Sequence, residues 1–135
     1  MALTGENIAE LARQGKLNSQ ELEESLGSTG NALVTVQDWG VCYSPATGQL
    51  SEYCTVVTNN NSNPITGIGM IAYSANGSTL YAVQYTNGFS TDAIAPSLGT
   101  GLYNQSMGNQ ALCIVYGWTN QGSFYFSQTM TIQSC

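Results

Sequence analysis

Apolar and polar residues alternate along two runs near the end of the chain. Leu112, Ile114, Tyr116 and Trp118 share one face of an extended segment. Phe124, Phe126, Met130 and Ile132 repeat at period two, with Ser123, Tyr125, Ser127, Thr129 and Thr131 between them. A period of two is the mark of a half-buried strand. Thr119-Asn120-Gln121-Gly122 separates the runs as a turn, so the pair predicts a β-hairpin with the core on its apolar face.

The same reading extends upstream. Ala32 to Tyr43 and Leu50 to Thr58 flank the turn Ser44 to Gln49, which holds Pro45 and Gly48. Ile65 to Tyr73 and Leu80 to Tyr85 flank Asn76-Gly77, a pair suited to the two positive-φ positions of a type I′ turn. Asn59 to Pro64 reads as a solvent loop. Asn87 to Gln110 has few strand signals and reads as a long loop, with a short strand at Gly101-Leu102-Tyr103. Loops of that length in a compact domain are uncommon and often functional.

Thr4 to Leu26 is the helical part. Ile8, Leu11 and Ala12 form an i, i+3, i+4 stripe behind a Thr4 cap, and Gly15 is the natural stop. Asn18 or Ser19 then caps a second short helix rich in Glu, ended by Gly27. Helices this short need a surface to dock on. The composition changes at Gly27-Ser28-Thr29-Gly30. The expected architecture is mainly β: an antiparallel sheet or sandwich of about six strands in consecutive hairpins, preceded by two short helices. It forms one domain over 1–135, with a helical arm at 1–26 and a β body at 31–135.

Charge changes the picture most. Charged residues are 7% of the chain, against about 25% in an ordinary soluble domain. The only cations are Arg13 and Lys16. Five glutamates share their region, and beyond Leu26 only Asp38, Glu52 and Asp92 are ionic. Nucleic acid is excluded as a partner, because nothing in the β body neutralises phosphate. A neutral surface suits close packing in an assembly or contact with neutral glycans.

The four cysteines, Cys42, Cys54, Cys113 and Cys135, come without any histidine or paired C-x₂₋₄-C spacing, which argues against zinc. They read as disulfides of an oxidising compartment. Three pairings are open; Cys42 and Cys54 flank one hairpin almost symmetrically, which favours 42–54 with 113–135. No apolar run reaches the length of a membrane span, and the N-terminus lacks the pattern of a signal peptide. The expected location is secreted or surface-displayed, with any signal or anchor outside this sequence.

Catalytic signals are sparse. The lack of histidine removes Ser-His-Asp and Cys-His nucleophile systems, and Asp38, Glu52 and Asp92 have no pairing in sequence. No acidic loop resembles a calcium motif. The expectation is a non-enzyme without cofactors. Eight tyrosines and two tryptophans offer rings for core packing or sugar stacking. Tyr43, Tyr53, Tyr103 and Trp118 lie near predicted strand ends or loops, and Tyr103, Asn104 and Trp118 are the candidate ligand contacts. The N-x-Ser patterns at Asn60, Asn76 and Asn104 mark exposed loops.

The segment Glu10-Leu11-Ala12-Arg13-Gln14-Gly15-Lys16-Leu17-Asn18-Ser19-Gln20-Glu21 resembles the stretch of type IVb pilins that runs leucine, Gly-Lys-Ile/Leu, Ser/Thr and an acidic residue before a helix ended by Gly. That resemblance implies an antiparallel sheet, a disulfide near the C-terminus that Cys113 and Cys135 would imitate, and assembly into a fibre. This sequence lacks the family's long hydrophobic helix and the helical cysteine segment before its sheet. The leading expectation is a structural subunit of an extracellular assembly (pilus, fibre or virion-like). It would join itself or other subunits through Ile8, Leu11 and Leu22 of the arm and a neutral β surface. The alternative is a glycan- or receptor-binding module.

Overall fold

The computed structural model describes residues 4–17, 19–26, 33–58, 64–77, 79–90, 93–94, 97–102 and 108–135. The Gly27–Gly30 junction, the Asn59–Asn63 tract, Asp92, Tyr103, Asn104 and the possible cap Asn18 lie outside them. Two helices, α1 (Gly5–Arg13) and α2 (Ser19–Leu26), precede eight strands. These are β1 (Val34–Tyr43), β2 (Gln49–Thr58), β3 (Ile65–Ser74), β4 (Leu80–Ser90), β5 (Ala93–Ile94), β6 (Ser97–Leu102), β7 (Gln110–Thr119) and β8 (Gly122–Ser134).

The ends of α1 follow from its sequence. The Thr4 hydroxyl accepts from the Asn7 N–H at 3.2 Å. At the other end, Gly15 N–H bonds Ala12 C=O and Lys16 N–H bonds Leu11 C=O, with Gly15 at φ +69°. That pair of bonds is a Schellman closure, and the left-handed residue in it is best a glycine.

The fold is mainly β, and β1–β2, β3–β4 and β7–β8 are antiparallel hairpins. The strand order is β4-β3-β7-β8-β1-β2, with β5 and β6 both on β2. One pairing departs from a run of hairpins: β1 and β8 are parallel from Val41↔Ile132 to Tyr43↔Ser134. The sheet is therefore mixed. It curls so that Val34, Cys54 and Val56 of β1 and β2 share an interior with Met70, Val115 and Phe124.

Three local expectations are corrected. The stretch from Asn87 to Gln110 is not a bare loop, since it holds the end of β4 and all of β5 and β6. Gly and Ser have low strand propensity, and pairing with β2 overrides it. In the β3–β4 hairpin Gly77 takes a positive φ, +76°, and Asn76 does not, so the pair does not form a type I′ turn. Ser74 widens it: its hydroxyl donates to Asn76 Oδ1 at 2.7 Å and accepts from Thr79 N–H at 3.0 Å. Finally, β7 is central and buried on both faces rather than half-buried.

That second face of β7 explains the helices. Ile8, Ala12, Leu22 and Leu26 pack against Ile71, Tyr73, Ile114 and Tyr116 on the outer side of the sheet. Ile8 and Leu22 are fully buried there, each burial worth about 1.5–3 kcal/mol. The arm therefore covers its own body, and Ile8 and Leu22 are closed to a neighbouring subunit. Leu11 is half-buried. The Ser123 hydroxyl donates to Leu26 C=O at 2.7 Å and ties α2 to β8.

Tyr116 anchors α1. Its buried hydroxyl donates to Gly5 C=O at 3.1 Å. The Tyr85 ring occupies the place a Cβ on Gly5 would take, so any side chain there would push the helix away. Burial raises the Tyr116 phenol well above its ordinary value of 10.0, with neighbouring Tyr85 adding to the effect. Burial raises Tyr73, Tyr85 and Tyr125 too.

A group whose pKa is raised on folding keeps its proton in the native state after the unfolded chain has lost it. Stability is therefore full below about pH 10 and falls as pH rises past that value. Tyr116→Phe should soften part of this alkaline fall and cost about 1 kcal/mol near neutrality through the lost bond to Gly5. Urea titrations from pH 7 to 11 measure both effects.

Candidate functional site

The register between β1 and β2 breaks between Gln37↔Thr55 and Gly40↔Tyr53. Asp38 and Trp39 together stand opposite Cys54, which makes a β-bulge. Asp38 has φ +49° and is the one non-glycine residue at positive φ among the described residues. Asp tolerates that region better than most side chains. A bulge bends its strand, and this one lies just before the point where β1 meets β8.

Beyond it, the two strands run side by side for only three residue pairs. The Cys42–Cys135 disulfide, with Cα atoms 5.1 Å apart, closes that short seam. Cys135 N–H also donates to Tyr43 C=O at 2.9 Å. The pairing 42–54 with 113–135 is thus corrected. Cys54 and Cys113 are interior thiols on β2 and β7. Hairpin symmetry misled the assignment, because the partner of Cys42 arrives through the parallel seam, 93 residues away in sequence.

Between the bulge and the seam the structure leaves a cleft of about 620 Å³. One wall carries Trp39, Gly40 and Tyr53; the other carries Gln128, Thr129, Met130 and Thr131; Gln133, Ser134 and the disulfide complete it. Trp39 is half-buried and reaches both interior clusters on that side of the sheet. Tyr53 is 48% exposed, the one large hydrophobic residue that is so exposed among those described. Its ring lies over Gly40, where a Cβ would overlap it. Gly40 therefore sets the position of the ring.

No side chain lining the cleft is charged. Two rings, two amides and four hydroxyls, one of them Tyr53's own, can stack, donate and accept, with no nucleophile–base pair among them. Asp38 is exposed and does not line the cleft. Among the described residues no three His, Cys, Asp or Glu gather where a metal ion could sit.

The residues singled out from sequence fall elsewhere. Trp118 belongs to the helix side, edge-on to Tyr116 at 6.1 Å and to Tyr85 at 6.4 Å. It is half-buried in that aromatic cluster and does not face the cleft. Tyr103 and Asn104 lie outside the described residues. Sequence reasoning named Tyr53 among the rings near strand ends, and missed Trp39 and the pairing of the two. The only signal was Gly40 beside Trp39 in a strand, the usual mark of a bulge or a close approach.

No protein-family model matches the chain, and no curated protein matches it. Solved structures with a partial likeness include the β-glucosidase DesR from Streptomyces venezuelae, at 10% identity and TM-score 0.40, over 72% of this chain and 15% of that one. The alkylpurine DNA glycosylase AlkC from Pseudomonas fluorescens gives 10% identity and TM-score 0.47, over 95% of this chain and 36% of that one. A CARDB domain from Pyrococcus furiosus gives 8% identity and TM-score 0.39, over 76% and 94%. At these scores the likenesses carry no argument. The chain spans only a minor part of the two enzymes.

Peptide mapping without reduction should return one cross-link, Cys42 to Cys135, with Cys54 and Cys113 alkylated only after unfolding. Replacing Cys135 by Ser should lower stability by about 2–5 kcal/mol, given the long loop the bond closes, and should free β8 at its end. Thermal melts and hydrogen exchange at residues 132–135 check this.

Proposed function

We propose that this chain is a non-enzymatic binding module displayed outside the cell, and that the cleft between β1 and β8 takes a neutral glycan. The observation that carries this reading is an exposed aromatic platform, Tyr53 over Gly40, beside Trp39 in a cleft lined only by uncharged groups. The C–H face of a pyranose stacks on such rings, and its hydroxyls exchange hydrogen bonds with amides and hydroxyls such as Gln128, Gln133 and Thr131. The volume lies within the range of small-molecule sites, about 300–1,000 Å³. Its polar lining suits a polyhydroxylated ligand better than an apolar one.

The disulfide supports an oxidising location. Among the described residues no helix is long and apolar enough to cross a membrane. The resemblance of Glu10–Glu21 to type IVb pilins agrees with surface display and adds no residue to the cleft. Assembly with other copies is the second reading. It is favoured by the charge-poor β body, although Ile8 and Leu22 already cover the chain's own sheet.

An array of neutral oligosaccharides, followed by calorimetry on any hit, tests the glycan reading. Tyr53→Ala should weaken binding about threefold to tenfold, the worth of one stacked ring, without lowering the melting temperature. Binding should change little between low and high salt, because no side chain lining the cleft is ionic. An empty array, or a hit indifferent to Tyr53, defeats the proposal.

A further inference from the structure

We propose that the cleft selects neutral sugars that carry an acetamido group, and that Gln128 and Met130 of β8 read that group. The inference rests on the glycan reading and names the class of sugar it favours.

It starts from a break in a pattern. β8 pairs with β7 in unbroken register from Gly122 to Thr131, so its side chains alternate between the two faces throughout. The inward set is Phe124, Phe126, Gln128, Met130 and Ile132. Phe124 and Ile132 are buried, and Phe126 and Met130 are half-buried against the interior clusters. Gln128 is the one polar member of that set, and it is exposed. A polar residue inside an apolar stripe breaks the local pattern, and natural proteins keep such breaks mainly at functional sites. Here Gln128 lines the cleft.

The cleft has an apolar floor and a polar lip. The parallel seam begins at Val41↔Ile132. Carried two residues further back, the same register would set Trp39 beside Met130. The strands have parted there, and both side chains line the cleft while packing against one buried cluster that includes Val41, Cys113 and Ile132. They form the floor. Thr129 and Thr131, on the other face of β8, are exposed and form the lip. Gln128 stands one strand repeat, about 7 Å, from Met130.

A plain hexose offers hydroxyls to the lip and a C–H face to a ring, and nothing to this floor. An acetamido group adds a methyl that fits against Met130 and Trp39. It also adds an amide whose N–H or C=O can pair with Gln128, since a primary amide both donates and accepts. A 6-deoxy sugar has a methyl without the amide. A free amino sugar has an ammonium ion in place of both, and no side chain lining the cleft could neutralise it.

The strongest hits on the array should therefore carry an acetamido group. Calorimetry on the intact chain with matched trisaccharides of glucose, 6-deoxyglucose, glucosamine and N-acetylglucosamine is the test. The N-acetylglucosamine chain should bind at least about tenfold tighter than the glucose chain, the combined worth of one buried methyl and one hydrogen bond. Gln128→Leu completes the apolar stripe, so the melting temperature should hold or rise while the preference falls below about threefold. A merely structural role for Gln128 would not separate those two readouts. Equal affinity for the glucose and N-acetylglucosamine chains, or a preference that Gln128→Leu leaves intact, overturns this inference and leaves the glycan reading standing. The 6-deoxyglucose or glucosamine chain bound as tightly as the acetamido chain does the same. No binding by any of these sugars, with an empty array, overturns both.

Discussion

The structure depends on one strand serving two partners. β8 follows β7 for its first ten residues and then, at Ile132, turns to lie beside β1. Among the described residues, that second pairing is the strand pairing that links the β1–β2 hairpin to the four strands that carry the helices. Three residue pairs make a weak seam, since parallel pairing is slightly less favourable per residue than antiparallel. The disulfide sits on this seam and removes much of the freedom the unfolded chain would otherwise regain. The bulge at Asp38–Trp39 bends β1 just before the seam. The cleft is the space left between a strand that bends away and a strand that crosses over.

The helices have a different role from the one their sequence suggests. An amphipathic arm before a neutral body looks like a device for gripping a neighbour. Here the outer face of β3 and β7 is itself apolar, with Ile71, Tyr73, Ile114 and Tyr116 in a row that water would otherwise meet. An intramolecular surface has a large advantage over an intermolecular one, because no translational freedom is lost on contact. Tyr116 adds direction to this apolar contact. Its hydroxyl is buried and must find an acceptor, and the Gly5 carbonyl is that acceptor.

Low charge shapes the cleft that remains open. A cleft without ions discriminates by shape, stacking and hydroxyl geometry, and has no long-range field to draw a charged ligand. The same composition therefore suits a site for neutral, polyhydroxylated molecules.

Local physics was legible in the sequence. The Thr4 cap, the Gly15 stop, the mainly β architecture and the hairpins β1–β2, β3–β4 and β7–β8 follow from periodicities and turn residues acting over a few positions. What escaped depends on distant pairing. β5 and β6 have little propensity of their own and form on β2. Cys42 finds Cys135 only through a parallel seam between the first strand and the last. Trp39 and Tyr53 share a cleft with Gln128 and Gln133 because two strands far apart in sequence diverge there. A sequence displays its near neighbours directly, so the elements were determined by residues a few places apart. The sheet order, the covalent link and the site were decided by contacts across most of the chain, which only the folded structure makes.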